Sequence, residues 1–212
     1  MRILIVSATE LEIKYLLEQS FLSYSVDFLI TGFGATAMTY QLTKHLNNKK
    51  YDLIINVGIA GDLNNRFEIG EIVNVAKDTF GDLGSNMNGK FLTQFDKKWI
   101  DENKFPFKNG FLKSNYNHNS LINKLKIVTG ITVNTISNSL EILKSRREKF
   151  IADIETMEGA AFMYVCLNEK IDCVQIRSVS NKMIENETFK LEIENSVPKL
   201  NTFIIDFINS LK

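Results

Sequence analysis

The chain has 212 residues, with 25 Lys and Arg against 25 Asp and Glu, and so no net charge. Without a basic field to hold a polyanion, it does not read as a nucleic-acid binder. A hydrophobic fraction of 44% and a charged fraction of 24% are those of a soluble globular protein able to bury a sizeable core, and no apolar run reaches the length of a membrane span.

Residues 2–8 form a continuous apolar run, the pattern of a strand buried on both faces and too short for a signal peptide. The run ends in Ser7-Ala8-Thr9-Glu10-Leu11-Glu12. Thr9 can cap a following helix, and Glu12 stands three residues on, at the capping-box spacing. A helix to about Gln19 is expected, with Ile13, Leu16 and Leu17 inward, so Glu12 has a structural reading before any chemical one. A second strand over 26–31 leads through Gly32-Phe33-Gly34 into a helix over about 35–47. Gly32-x-Gly34-x-x-Ala37 matches the dinucleotide fingerprint only in part, because Asp52 precedes the strand after which an acid is required. The glycines read as a tight turn that brings backbone close to a ligand, and no cofactor is expected.

A third buried strand, 53–57, is expected to stop at Gly58-Ile59-Ala60-Gly61 and expose backbone N–H groups at its carboxyl end, where open α/β sheets bind ligands. Residues 68–71 read as a turn and 72–80 as a strand leading into Phe80-Gly81-Asp82-Leu83-Gly84. Residues 85–119 change texture: Asn, Lys and Gly alternate with aromatics and no long period appears. This peripheral excursion either packs its own aromatics or serves as a lid or subunit contact. The strand expected over 126–135 is interrupted by Gly130, which marks a bulge or a close ligand approach. Ser139 then opens a charged helix through Arg147.

Residues 150–166 switch from a strand pattern to a helical one, apolar nearly all round, which describes a buried helix. Two carboxylates, Glu155 and Glu158, lie inside it. A buried carboxylate is costly unless paired or hydrogen-bonded. Glu158 is therefore either a structural acid held by N–H groups at a helix N-terminus or a residue aimed at a ligand. Residues 172–178 form the last strand, ending in Arg177-Ser178-Val179-Ser180-Asn181. A helix follows over about 195–211, with Pro198 in its first turn. Cys166 and Cys173 read as reduced core thiols of a cytoplasmic protein. His45 and His118 stand alone, so no metal site is expected.

The alternation of strands and helices, without repeats or a linker, gives one α/β domain over 1–212: a three-layer αβα sandwich around a largely parallel, mixed sheet. Glu12, Gly61, Phe80, Val133, Glu158 and Asn181 all lie at strand ends, and such convergence is what an α/β active site requires.

Taken together, Ser7-Ala-Thr-Glu-Leu-Glu12, Thr31-Gly-Phe-Gly34, Asn56-Val-Gly-Ile-Ala-Gly61, Gly70-Glu-Ile-Val73, Phe80-Gly-Asp-Leu-Gly84, Thr132-Val-Asn-Thr135, Glu155-Thr-Met-Glu-Gly-Ala-Ala161 and Arg177-Ser-Val-Ser-Asn181 resemble the purine nucleoside phosphorylase and nucleosidase superfamily. Within it they are most similar to the nucleosidases of methylthioadenosine and S-adenosylhomocysteine and, more narrowly, to the futalosine hydrolases of menaquinone biosynthesis. The resemblance implies hydrolysis of an N-ribosidic bond through an oxocarbenium-like sugar, a small nucleoside as the partner, no metal or organic cofactor, and a homo-oligomer. It implies that Glu158 takes the ribose hydroxyls with Met157 packed on the sugar, and that Glu12 activates the water. Thr132 and Val133 would wall the purine, with Ile59, Gly61, Asn134 and Ser180 nearby, and Phe80 would meet the 5′ substituent. The adenine-specific nucleosidases carry Asp in the Arg-x-x-Ser-Asp motif as general acid, whereas this chain has Asn181. An amide hydrogen-bonds a developing anion without protonating it and can address a 6-oxopurine edge, which favours an inosine-type nucleoside. Phosphorolysis would require paired arginines, and the first strand–helix loop offers Glu12 instead. An adenine-specific nucleosidase, a phosphorylase and a silent nucleoside-binding protein are the alternatives.

Overall fold

The computed structural model describes residues 1–137, 139–183 and 190–211, with only the backbone described at Leu140. In chain order it contains β1 (Arg2–Ser7), β2 (Ser25–Ile30), α1 (Gly34–Leu46), β3 (Leu53–Asp62), β4 (Ile72–Phe80), β5 (Gly84–Met87), β6 (Lys90–Thr93), β7 (Leu112–Lys113), β8 (Lys126–Thr132), α2 (Leu140–Phe150), β9 (Ile154–Thr156), α3 (Gly159–Asn168), β10 (Asp172–Lys182) and α4 (Ile193–Asn209).

Alternation along the central strands sends side chains into two cores. Leu4, Val6, Ile54 and Cys173 face α1 and α3 and pack with Met38, Leu42 and Phe162. Ile3, Ile5, Leu53, Ile55, Val57, Val174 and Ile176 face α4 and pack with Leu200, Ile204 and Phe207. This is the period-two rule applied to strands buried on both faces, and it gives the expected sheet between helical layers. The sheet is mixed, with β1/β2, β1/β3, β3/β10, β4/β8 and β8/β9 parallel and β4/β10, β3/β9 and β4/β7 antiparallel. Because β3 pairs with both β10 and β9, the strands β3, β10, β4, β8 and β9 close into a ring that sequence alternation does not announce.

Several boundaries differ from the sequence expectation, among them those of the first helix, the third strand and the last helix. The helix expected after Thr9 is only a 3₁₀ turn, Leu11–Ile13, followed by further turns. Asn201 of α4 inserts its amide there: Nδ2 donates to the Glu12 carbonyl at 2.8 Å and Oδ1 accepts from Leu16 N–H at 3.1 Å, so the two groups that would form an i→i+4 bond bond Asn201 instead. The third strand does not stop at Gly58 but runs to Asp62, because β10 accompanies it past the glycines as far as Lys182, with a bulge between Val179 and Asn181. Helix α4 begins at Ile193, which places Pro198 beyond the first turn.

The segment 85–119 contains the β5/β6 hairpin, β7 and turns. Its aromatics pack inward: Phe95 against Phe107 edge-on, Phe107 against Tyr164 of α3, and Tyr116 against Phe207 of α4. Trp99 and Phe105 remain exposed.

Glu155, whose role the sequence leaves open, is buried at β9 and bound by Arg146 of α2 at 2.7 Å. Ser137 N–H adds a bond of 2.8 Å. The pair joins α2 to the closed ring of strands. Removing one member of a buried ion pair strands the other, at about 3–5 kcal/mol. Arg146→Leu is therefore expected to lower the free energy of urea unfolding by roughly that amount; a loss below about 1 kcal/mol would show that the pair does not anchor α2.

Candidate active site

The carboxyl ends of β1, β3, β9 and β10, with the N-terminal turns of α1 and α4, enclose a cavity of about 230 Å³. Seven of the residues singled out from sequence line it: Glu12, Ile59, Gly61, Met157, Glu158, Ser180 and Asn181. They come from four separate segments, brought together by the parallel register of β1, β3 and β10.

Glu12 is fixed by both of its oxygens. Oε2 accepts from Thr9 N–H at 3.0 Å, Thr9 Oγ1 at 2.9 Å and Ser7 Oγ at 3.1 Å, while Oε1 accepts from Ile59 N–H at 3.1 Å. The capping-box contact is thus real, although the helix it would start is cut short. One carboxylate oxygen is consumed by the turn, and the other is tied to β3 at the cavity wall. Gly58 is required for this arrangement, since a Cβ there would lie 2.8 Å from Glu12 Oε1 and 2.9 Å from Arg177 Nη1.

Glu158 precedes α3 but makes no capping bond to its own helix. Its Oε1 instead accepts from Gly34 N–H at 2.9 Å, the first amide of α1. The turn Gly32-Phe33-Gly34 needs its glycines, both with left-handed φ (83° and 87°), and the amide it presents goes to a carboxylate. Burial pushes the Glu158 carboxyl above its usual range; the Arg177 guanidinium and the Gly34 N–H pull it back, and Glu12 adds to the rise.

Arg177 lies behind these two acids and is wholly buried. Its Nη2 donates to Asn56 Oδ1 and to Gln175 Oε1, the latter at 3.1 Å. Burial lowers its proton affinity, and Glu158, Glu12 and Asp78, in that order, restore it. Sequence reasoning quoted Arg177 in a motif without giving it a role. The signal was an arginine midway along a strand that carries Cys173, Val174, Ile176 and Val179 into the core, where only paired charge is tolerated.

Across the cavity, Asn181 and Ser180 end β10, both buried. Ser180 Oγ lies 2.9 Å from Asn181 Oδ1 and 3.2 Å from the Ala60 carbonyl. Among the described residues, Asn181 Nδ2 meets the Met183 sulfur, at 3.5 Å. Met183 also covers Gly61, where a Cβ would meet its methyl at 2.4 Å. Apolar lining that the sequence did not suggest comes from Leu11, Phe33, Ile136, Leu191, Ile193 and Val197. Phe33 and Leu191 lie partly open to solvent, at 71% and 42% exposure.

Four candidates lie outside this lining. Val133 is buried in a third cluster with Leu63, Ile131 and Leu143. Thr132 is buried with its hydroxyl between Asp78 Oδ1, at 3.0 Å, and the Ala160 N–H, at 2.6 Å. Phe80 packs against the α1/α3 core. Asn134 is exposed and bonded to Asp82 through its N–H and Nδ2. No residue of 85–119 lines the cavity either. Packing at the strand ends explains the misplacement: Thr132 and Val133 after β8 enter packed interior, Phe80 at the end of β4 lies on the core, and Asn134 turns to solvent. Among the described residues, no three His, Cys, Asp or Glu side chains are grouped as metal ligands, and no helix is long and apolar enough to cross a membrane.

Comparison with known proteins places this geometry. The phosphorylase superfamily model matches residues 25–209. A 5′-methylthioadenosine/S-adenosylhomocysteine nucleosidase of Buchnera aphidicola is 28% identical over 177 residues, 82% of this chain and 73% of the relative. A futalosine hydrolase of Thermus thermophilus is 25% identical over 159 residues, 73% of this chain and 68% of the relative. Among solved structures, the futalosine hydrolase of Helicobacter pylori superposes with a TM-score of 0.82 at 19% identity, covering 100% of this chain and 98% of the other, a likeness of fold.

Proposed function

We propose that this chain, which belongs to the phosphorylase superfamily, is a purine nucleoside hydrolase whose substrate is futalosine. It would release hypoxanthine and dehypoxanthine futalosine, in menaquinone biosynthesis. The observation that carries the reading is the charge of the cavity. Its described lining holds the carboxylates Glu12 and Glu158, besides Glu155, which Arg146 neutralises, and neither Lys nor Arg. Cleavage of an N-ribosidic bond builds positive charge on the sugar, which carboxylates stabilise, whereas a phosphate nucleophile needs cations. The arginines are engaged elsewhere: Arg2 with Asp27, Arg66 with Asp153, Arg146 with Glu155, Arg147 with the Leu63 and Met183 carbonyls, and Arg177 with the buried amides.

The roles follow from position. Glu158 accepts the ribose hydroxyls, with Met157 packed on the sugar, and its bonds strengthen as the sugar becomes cationic. Glu12, held rigid at Thr9 and Ile59, takes the proton of the attacking water. General-base help is worth about 10²–10⁴-fold. Asn181 offers Nδ2 to the departing base while its Oδ1 faces Ser180. A hypoxanthine anion leaves more readily than adenine, so a hydrogen bond suffices where adenine would need a proton. The apolar lining from α4 and Phe33 suits the aromatic part of a 5′ substituent. A cytoplasmic homo-oligomer accompanies this reading, with the exposed Phe33 at the cavity mouth as the surface in favour of a covering subunit.

The adenine nucleosidases are the second reading, favoured by the 28% identity to the Buchnera enzyme. The leaving base separates the two. With futalosine, aminofutalosine, inosine, methylthioadenosine and S-adenosylhomocysteine assayed side by side, hypoxanthine release from futalosine is expected to dominate; adenine release without hypoxanthine would replace the first reading by the second. Asn181→Asp is expected to shift the hypoxanthine-to-adenine ratio of kcat/KM toward adenine by at least about tenfold, of the order one well-placed donor commands. An unchanged ratio would remove Asn181 from base selection. Gly58→Ala, which pushes on Glu12 from behind, is expected to lower kcat about 100-fold, the usual effect of a misplacement near 1 Å; a wild-type kcat would show that the rigid seat of Glu12 is unimportant.

A further inference from the structure

Asp78 lies near the middle of β4, wholly buried, outside the cavity and without an ion-pair partner among the described residues. Two hydrogen-bonded arms meet on it. Gln175 Nε2 donates to its Oδ2 at 3.0 Å, and Thr132 Oγ1 lies 3.0 Å from its Oδ1. Each arm has a fixed direction. Gln175 Oε1 faces Arg177 Nη2, at 3.1 Å, and a guanidinium only donates, so the amide must turn its NH₂ toward Asp78. Thr132 Oγ1 accepts the Ala160 N–H at 2.6 Å and lies 3.3 Å from Thr156 Oγ1, so the nearer and charged acceptor for its own proton is Asp78, at 3.0 Å. One arm therefore begins at the cation behind Glu12 and Glu158. The other begins in the first turn of α3, two residues after Glu158. The backbone makes room for this junction with glycine on two sides. A Cβ at Gly130 would lie 2.8 Å from Asp78 Oδ2, and one at Gly159 would lie 2.3 Å from the same oxygen and 2.0 Å from Gln175 Oε1.

The geometry points to Asp78 as a positioning residue: an acceptor on which the Arg177 side chain and the N-terminus of α3 are both tied, so that one buried carboxylate sets the placement of Glu12 and Glu158 together. This rests on the reading of those two acids as the working groups of the nucleosidase site.

The same junction responds to pH. Burial, opposed by the Thr132 hydrogen bond and the Arg177 guanidinium and aided by Glu158, pushes the Asp78 carboxyl up to about 7. Arg177 on β10 and Glu158 before α3 are the charged groups that face it. From β8 it meets Thr132 and Gly130, across β7 it is paired with Leu112, and its neighbour Lys77 lies over the Phe111 ring. A proton on Asp78 removes a negative charge facing Arg177; on Oδ2 it also meets the Gln175 NH₂ and breaks that arm, while on Oδ1 it reverses the Thr132 arm, whose hydroxyl then turns to Thr156 Oγ1, 3.3 Å away. Turnover therefore falls as pH drops through about 7 and is complete above it.

The test uses Asp78→Asn, Gln175→Met and the double variant, each first shown to fold by its melting temperature. The substrate is futalosine or methylthioadenosine, whichever the wild type cleaves faster. Each single variant is expected to lose about 10–100-fold in kcat at pH 8 with KM changed less than about threefold, because placement rather than contact is lost. Asp78→Asn, which removes the titrating group, is also expected to lose the acid limb near pH 7. The double variant is expected to be no worse than either single one, as members of one chain must be. A wild-type pH profile for Asp78→Asn, or losses that add in the double variant, would overturn the inference. Glu158→Gln separates the two levels: near-wild-type activity there would overturn the site reading and this inference with it, whereas an inactive Glu158→Gln beside a wild-type-like Asp78→Asn would overturn the inference alone. If Asp78→Asn does not fold, Gln175→Met decides, since it breaks the same arm by removing the donor and leaves Asp78 itself unchanged.

Discussion

One buried cation organises this site. The Arg177 guanidinium lies in the interior of the sheet, faced by Glu158, Glu12 and Asp78. Each acid would be costly to bury alone, and so would the arginine. Together they are tolerable, and neighbouring residues supply hydrogen bonds: Asn56 and Gln175 for Arg177 Nη2, Gly34 N–H for Glu158, Thr9 and Ile59 for Glu12. The glycines at 58, 130 and 159 are the spatial counterpart, each at a point where a methyl group would collide with one of these side chains.

The fold delivers these groups by register. Parallel pairing of β1, β3 and β10 carries Glu12, Ile59, Gly61 and Asn181 to one edge of the sheet. Antiparallel pairing of β9 with Gly61 and Asp62 brings Met157 and Glu158 to the same edge. The ring closed by β9 leaves a cavity walled by strand ends on one side and by the first turns of α4 on the other. The consequence for chemistry is that, among the described residues, the cation close to Glu12 and Glu158 is Arg177, which does not line the cavity. The space in front is negative, which suits a sugar acquiring positive charge and disfavours an incoming phosphate.

Much of this was legible in the sequence. Continuous apolar runs marked the buried strands, and the pattern change after Thr156 located α3 and its acid. The capping-box spacing of Glu12 is matched by real bonds to Thr9. What was hidden depends on contacts between distant residues. Asn201, 189 positions from Glu12, is what interrupts the helix after β1. Pairing with β10 is what carries β3 beyond Gly58. Glu155 looked like a possible ligand residue until α2 supplied Arg146. Gly130 looked like a place for a ligand, and it makes room for Asp78. Thr132, Val133, Phe80 and Asn134 sit near the right strand ends, but which side of a strand end opens on a cavity is set by packing that no local pattern encodes.

Because the cavity presents carboxylates and keeps Arg177 behind them, water and not phosphate is the nucleophile expected at the sugar. Phosphorus NMR of futalosine cleavage in phosphate buffer distinguishes the two. The base is expected to be released at a rate independent of phosphate, with no new phosphate-ester resonance. A sugar 1-phosphate signal growing in step with the released base would contradict it.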